Sequence, residues 1–448
     1  MAARIGFSGV CLAYFAIILD GGVLNVAVPT IRGDLGSSMA GAQWVLNGYT
    51  LTLAALLLSA GALGDRLGLR RTLLAGVVVF TLASAACAAA PGTGVLIAAR
   101  VVQGVGAAAL LPATLALVPH LFADATARAR ATIVWVATGA IAIAVGPLVG
   151  GVLIDTIDWR AIFAVNLPVG AAALLLVRAG VTETPRLSRR IDRPGPVFAA
   201  ATLGLLTGGL IEAGAQGWTA PTTLALLGGA VVAATAYGVG ATRGAHPMVP
   251  RAFFALRVRA SAVGSAGLMG FLFYGTLFLM SLYFQQVRGL SPARSGLALL
   301  PMTVGSTVGP LVLYRRLAAR LGHRILLLAG FAGCLAGTAT LASAGPYAVL
   351  AVGLLLIGLS STMVFSALTS LLIGNVPAAQ SGLASGLQNT LRQSGALVAV
   401  AVVGSLLNTS SPASRYPEAC AVLGAGAVVA VAVAAGTLRT GDAPGEPP

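Results

Sequence analysis

The sequence predicts an all-α polytopic membrane protein. Three observations predict it. The 448 residues are 57% hydrophobic and only 9% charged, with a mean hydropathy of +0.93; a soluble domain carries about 25% charged residues. The apolar residues gather in runs near the length of about 20 that crosses a bilayer. The loops between the runs alternate between arginine-rich and arginine-poor, the bias that sets membrane orientation. A chain so poor in polar surface excludes soluble enzymes, nucleic-acid readers and disordered scaffolds.

The elements follow in order. Apolar runs fall near 5–28, 43–63, 73–91, 95–118, 131–154, 161–179, 196–213, 221–240, 262–284, 296–314, 325–344, 347–373, 393–408 and 418–437, fourteen candidate spans. Each reads as a helix, because a helix alone satisfies every backbone polar group within its own segment in lipid. Gly and Pro recur inside the runs, which membrane helices tolerate. The first run reads as a retained helix and not a signal peptide, since no polar region with small residues follows a short core. The shortest separation is Gly345-Pro346, between the eleventh and twelfth runs.

All 27 basic residues are arginine, and the net charge is +15. They sit in loops and form no continuous basic face of the kind a nucleic acid needs. With the N-terminus taken as cytoplasmic, 21 arginines fall inside, Arg392 among them, 5 fall outside, and Arg100 lies within the membrane. Both termini are then cytoplasmic. Cys11, Cys87, Cys334 and Cys420 lie in or beside apolar runs without short spacing and read as small buried hydrophobes. His120, His246 and His323 show no metal spacing, so no metal site and no cofactor are expected. Without lysine the chain cannot form a phosphate-binding Gly-x-x-x-x-Gly-Lys loop, so uphill transport must draw on an ion gradient.

An internal repeat sets the domain organisation. Arg66-Leu67-Gly68-Leu69-Arg70 follows the second run, and Arg320-Leu321-Gly322-His323-Arg324 follows the tenth. Equivalent loops eight helices apart predict two six-helix halves, residues 1–180 and 261–448, with residues 181–260 adding two helices between them.

Charges inside membrane helices default to function. Asp20 lies in the outer half of the first run, Arg100 in the fourth and Glu212 near the outer end of the seventh. A carboxylate in a partly dehydrated cavity can load a proton from one side and release it when its surroundings change. Arg100 cannot shed its charge and must find carbonyls, a carboxylate or water. Asp155 and Asp158 read as a solvated loop. Gly146, Pro147, Gly150 and Gly151 give the fifth run small, bendable surfaces for close helix approach. Gly61, Asp65, Arg66, Gly68, Arg70 and Arg71 place an acid and three cations at one helix end, where Asp65 can pair with Arg or meet a helix N-terminus as a breakable latch.

These residues carry a family resemblance. Leu19-Asp20-Gly-Gly-Val-Leu-Asn25, the Gly61–Arg71 loop, Arg100-Val-Val-Gln103-Gly104, Gly146-Pro147-Leu-Val-Gly150-Gly151, Trp159-Arg160 through Pro168, Gly296 through Pro301 and Ser381 through Gln393 occur in family order. The chain resembles the fourteen-helix drug:proton antiporter branch of the major facilitator superfamily. Gly22 stands where that branch has a hydroxyl, Leu69 where it has a basic residue, and Ala142 where it has a glycine. The resemblance implies the major facilitator fold, alternating access, and proton-coupled export of small amphipathic or cationic compounds across the cytoplasmic membrane by a monomer. It implies that Asp20 and Arg100 couple protons; Glu212, as an intramembrane carboxylate, is the further proton-coupling candidate. The pocket wall is expected to include Asn25, Trp44, Tyr49, Gln103, Phe271, Tyr274, Tyr283 and Gln285, whose aromatic faces can hold cations and flat drugs. Partners are the small-molecule substrate, protons and the lipid bilayer, with no nucleic acid. A transporter dedicated to one metabolite, sugar or amino acid is the alternative, and a polytopic membrane enzyme or receptor is the alternative of another class.

Overall fold

The computed structural model describes residues 2–186, 194–243, 253, 256–377, 380–408 and 412–439. His246 and four of the arginines counted above as inside, Arg189, Arg190, Arg193 and Arg251, lie outside them. The helices run α1 Ala2–Asp34, α2 Met39–Leu67, α3 Leu69–Ala88, α4 Thr93–Leu121, α5 Ala125–Thr156 and α6 Ala161–Gly180. They continue as α7 Pro194–Gln216, α8 Pro221–Arg243 and α9 Arg257–Leu282, the last extended by a π-helical turn, Tyr283–Val287. Next comes α10, built from Pro292–Ala298, Leu300–Val308 and the π-helical Gly309–Tyr314. The chain closes with α11 Arg315–Ala342, α12 Tyr347–Gly374, α13 Ser381–Leu406 and α14 Pro412–Arg439.

Among the described residues, twelve helices are long and apolar enough to cross a membrane. Two of the fourteen apolar runs do not reach that standard. Residues 296–314 lie in α10, which breaks at Leu299 and widens into the π turn. Residues 393–408 lie in α13, whose first half carries Gln388, Asn389, Arg392 and Gln393 and is less apolar. That helix begins at Ser381, so Arg392 stands midway along it. Its earlier reading as an inside loop charge is corrected: hydropathy alone placed the start of the run after the arginine.

The exterior of the bundle is apolar. Val232 is 69% exposed, Leu175 66% and Ile133 63%, a surface suited to lipid and not to water. Inside, three buried clusters of Leu, Val, Ile, Ala and Phe hold the helices together.

The two repeated loops share one backbone device. Gly68 has φ +99° and Gly322 φ +74°, both in the left-handed region that L side chains avoid. Each breaks the helical path at the same position of the Arg-Leu-Gly-x-Arg core. At Gly68 a Cβ would run into the Glu183 carboxylate, so the turn needs both the glycine's conformation and its small size.

Glycines also set how close α5 comes to its neighbours. A Cβ on Gly146 would stand 3.2 Å from Gly22 Cα, and one on Gly150 would stand 2.8 Å from the Val23 carbonyl oxygen of α1. On its other side α5 meets α10: a Cβ on Gly151 would lie 2.7 Å from Ala293 Cα, and a Cβ on Gly296 would strike the Pro147 carbonyl. The α5 glycines therefore form a two-sided seam. Thr303 and Thr307 of α10 donate across it to the Ala144 and Ala140 carbonyls at 3.1 Å each. At its end the Asp155 carboxylate accepts from the Ser291 hydroxyl at 2.8 Å and the Ala293 N–H at 3.0 Å. Asp155 is thus not only a solvated loop residue: it ties the start of α10 to the end of α5.

Candidate functional site

A polar cluster sits where α1, α2, α3, α4 and α6 converge. Asp20 and Arg100 are each 1% exposed, and Arg100 Nη1 meets Asp20 Oδ2 at 2.5 Å. The same nitrogen donates to Gln103 Oε1 at 2.6 Å, and Arg100 Nε donates to the Val45 carbonyl at 3.2 Å. Gln103 Nε2 donates to Asp20 Oδ1 at 2.9 Å and to Ser84 Oγ at 2.9 Å. Asn166 Nδ2 reaches Asp20 Oδ1 at 3.1 Å and Ser84 Oγ at 3.3 Å. The guanidinium lies 4.3 Å from the Tyr49 ring centroid and 5.7 Å from that of Phe163.

Local sequence explains how the cluster forms. Arg100 and Gln103 are three apart on α4 and so share a face. A Cβ on Gly104 would strike 2.5 Å from the Tyr49 carbonyl oxygen, so this glycine lets α4 press against α2. Desolvating two charges costs several kcal/mol per ion, roughly, and attraction offsets that only when remaining donors and acceptors are filled. Here Asp20 accepts from three side chains, and Arg100 also has an amide, a carbonyl and two ring faces. The cluster is a sealed, neutral unit. A neutral side chain at Asp20 would leave the buried Arg100 without its counter-charge.

The other expected site residues distribute as follows. Tyr49 and Gln103 belong to this cluster. Asn25 and Gln285 meet where α1 touches α9: the Asn25 carbonyl accepts from Ser281 at 2.9 Å, and Gln285 donates to the Val26 carbonyl at 3.0 Å. Trp44 faces Gly208 of α7. Phe271 packs at Gly426 of α14. Tyr283 stacks on Tyr416 with centroids 4.2 Å apart and accepts from Arg288. Tyr274 bonds to Arg392 at 2.6 Å. Of the eight, Tyr49 and Gln103 touch Arg100, and Asn25 and Gln285 share the α1–α9 contact. Glu212 is half-buried on α7, bonded to Gln216, and takes no part in the Asp20 cluster.

In the loop at Gly68, the N-terminus of α3 is held by residues beyond α6. Glu183 accepts from the Arg70 N–H at 3.2 Å and pairs with Arg71 at 3.4 Å, and Thr184 accepts from the Leu69 N–H at 2.8 Å. The Arg70 guanidinium donates to the Arg178 carbonyl at 3.3 Å. Asp65 is half-buried beside this turn and Arg66 exposed. Glu183, which no motif marked, is thus an acid that meets this helix N-terminus. Ser84 and Asn166 were likewise missed as members of the polar cluster. Asn166 stood inside a quoted motif, and a polar side chain in an apolar run was the available signal.

A bundle of twelve spanning-length helices with an apolar exterior defines a multi-pass membrane protein. The Major Facilitator Superfamily model matches residues 10–400, and the chain belongs to that family of transporters, not to an enzyme class. It is 36% identical over 402 residues to a methylenomycin A resistance protein of Streptomyces coelicolor, covering 88% of this chain and 83% of that protein. It is 36% identical over 411 residues to a multidrug resistance protein of Mycobacterium tuberculosis, covering 91% and 76%. It is 34% identical over 407 residues to a tetracenomycin C resistance and export protein of Streptomyces glaucescens, covering 89% and 74%. The fold is also that of a peptide transporter structure, with TM-score 0.70, 15% identity and coverage of 96% and 94%.

Proposed function

We propose that this chain is a proton-coupled exporter of small amphipathic or cationic compounds, drugs or antibiotics, in the cytoplasmic membrane. It acts as a monomer by alternating access, with both termini cytoplasmic. The two moving parts are residues 1–180 and 261–448, with residues 181–260 adding two helices, fourteen spans in all. The observation that carries the coupling is the Asp20–Arg100–Gln103–Asn166–Ser84 cluster, buried and charge-balanced among five helices. Protonating Asp20 removes the charge that holds Arg100, so proton movement and helix movement are tied at one place. The resistance and export names of several relatives at about 35% identity support the efflux direction.

Among the described residues, several hydrogen bonds join residues 1–180 and 261–448 at the Asp34 end of the bundle. They include Gln43 to the Val400 and Ala401 carbonyls at 3.0 and 2.9 Å, Ser281 to Asn25, and the Asp155 contacts with α10. With the arginine-rich loops inside, that end faces outward, and the conformation is the one closed to the outside. Breaking and remaking these contacts is the motion that releases substrate. The test is vesicles of purified protein with an imposed pH gradient and a panel of dyes and antibiotics. Gradient-driven accumulation abolished by an uncoupler is expected; accumulation indifferent to the uncoupler would refute proton coupling. The panel also separates a broad exporter from one dedicated to a single compound.

A further inference from the structure

Arg392 is the second arginine held deep in the bundle. It projects midway along α13, half-buried, and packs near the rings of Tyr274 and Phe365, 5.6 and 5.7 Å from their centroids. Its Nη1 donates to the Tyr274 hydroxyl at 2.6 Å and its Nη2 to Asn389 Oδ1 at 3.2 Å. Both partners are neutral. Among the described residues no carboxylate pairs with it, in contrast to Arg100, which has Asp20. A guanidinium has five N–H donors. Here Nε is shielded from solvent and has no hydrogen-bond partner. A cation at membrane depth that lacks both a counter-charge and part of its hydrogen bonding is costly and unfinished.

Its surroundings say what finishes it. Tyr14 of α1 lies within electrostatic range of both Arg392 and Tyr274, so the guanidinium stands where α1 faces α9 and α13. Tyr14 stacks on Trp135 of α5, centroids 4.0 Å apart. Gly139 of α5 makes this possible, because a Cβ there would strike the Tyr14 hydroxyl at 2.6 Å. The Arg392 cation thus has a hydroxyl, an amide and two aromatic rings in contact, with the Tyr14–Trp135 stack of the other half on the side where α1 faces it. A planar guanidinium fork matches a carboxylate better than any other small group.

We propose that Arg392 is a binding residue for the acidic group of the transported compound, which is an aromatic or flat apolar carboxylate. This rests on the exporter reading above and replaces its cationic option. The carboxylate takes the unmet guanidinium donors, with Tyr274 and Asn389 holding the fork in place. The aromatic rings of Phe365, Tyr274 and Tyr14 meet the apolar body. Asp20 and Arg100 cancel one another, so the charge presented to the substrate is that of Arg392.

The test is equilibrium binding to purified protein in nanodiscs, which needs no transport. The probes are 2-naphthoate, its neutral amide 2-naphthamide, and chloride as a bare anion. Wild type is expected to prefer naphthoate over the amide by about tenfold or more, equivalent to about 1.4 kcal/mol. Arg392→Gln should bind both alike, and Arg392→Lys should keep a reduced preference, because charge remains without the fork. Tyr274→Phe, which removes one hydroxyl, should weaken naphthoate about threefold while leaving the amide unchanged, and serves if Arg392→Gln does not fold. A naphthoate preference that survives Arg392→Gln, equal binding of acid and amide by wild type, or a response to chloride alone would each overturn the proposal. Carboxylate binding lost in Arg392→Gln, together with uncoupler-insensitive transport by wild type, would keep this site while refuting proton coupling.

Discussion

Asp20→Asn tests the coupling cluster most directly. In the wild type, both Asp20 oxygens act as acceptors: Oδ2 from Arg100, and Oδ1 from Gln103 and Asn166. An asparagine offers one oxygen and one NH2 group. If its oxygen faces Arg100, its NH2 faces two donors. Asn166 can turn its amide to accept, but it then no longer donates to Ser84. The larger effect is on Arg100, 1% exposed, which loses its counter-charge. Removing one partner of a buried pair costs about 3–5 kcal/mol, and the Tyr49 and Phe163 faces, already in contact in the wild type, do not offset it. We therefore expect Asp20→Asn to lower thermal stability and to abolish gradient-driven uphill transport. Exchange of substrate without a gradient should survive, because rocking alone needs no net proton flux. The double variant Asp20→Asn/Arg100→Gln removes the stranded cation and should recover stability without recovering coupling, a non-additivity that neighbours in one network show. The assay is a melting curve in detergent paired with vesicle transport under a pH gradient. Full uphill transport by Asp20→Asn, or a double variant less stable than the single one, would refute the reasoning.

Three further predictions follow from the packing. Gly151→Ala drives a methyl into Pro292 and Ala293 of α10 and should wedge the seam apart, raising thiol labelling of a Ser295→Cys probe, buried in the wild type, several-fold; unchanged labelling would mean that this seam does not close the bundle. Glu183→Ala removes the carboxylate that accepts from the Arg70 N–H and pairs with Arg71, and should cost about 1 kcal/mol at the start of α3. Faster hydrogen exchange over residues 68–72 is the readout, and wild-type exchange there would dismiss the capping role. For orientation, an impermeant maleimide should label Thr156→Cys in intact cells and Thr182→Cys only after permeabilisation, in a background without the native cysteines. Both wild-type residues are exposed, and the reverse pattern would invert the proposed topology.

The polar cluster shows how far residue chemistry alone could go. Asp20 and Arg100 were legible because charges in apolar runs are rare. The need of Arg100 for a partner followed from its inability to lose a proton. The partner itself was not legible, since the two residues lie on different helices, and neither were Ser84 and Asn166, whose neutral side chains are common in membrane helices. The eight residues expected in the pocket wall were chosen as polar or aromatic groups in apolar runs. Such groups serve equally as bridges between helices, as Gln285 does at Val26, or as packing, as Phe271 does at Gly426. Sequence pattern does not separate these uses.

What the sequence by itself determined was the solvent and the element type. Hydropathy and charge sparsity demand a bilayer, and the bilayer demands helices, because no water is there to satisfy an open backbone. It also marked the turn glycines, since the repeated Arg-Leu-Gly-x-Arg core places Gly68 and Gly322 in the same left-handed conformation. The tertiary structure alone decided which helix faces meet. It brought Glu183 to the start of α3, and it carried Arg392 from a supposed loop into the middle of α13. The physical reason is that hydropathy averages over a window and is blind to direction, whereas a charge buried at one helix face is set by what the opposing helices bring to it.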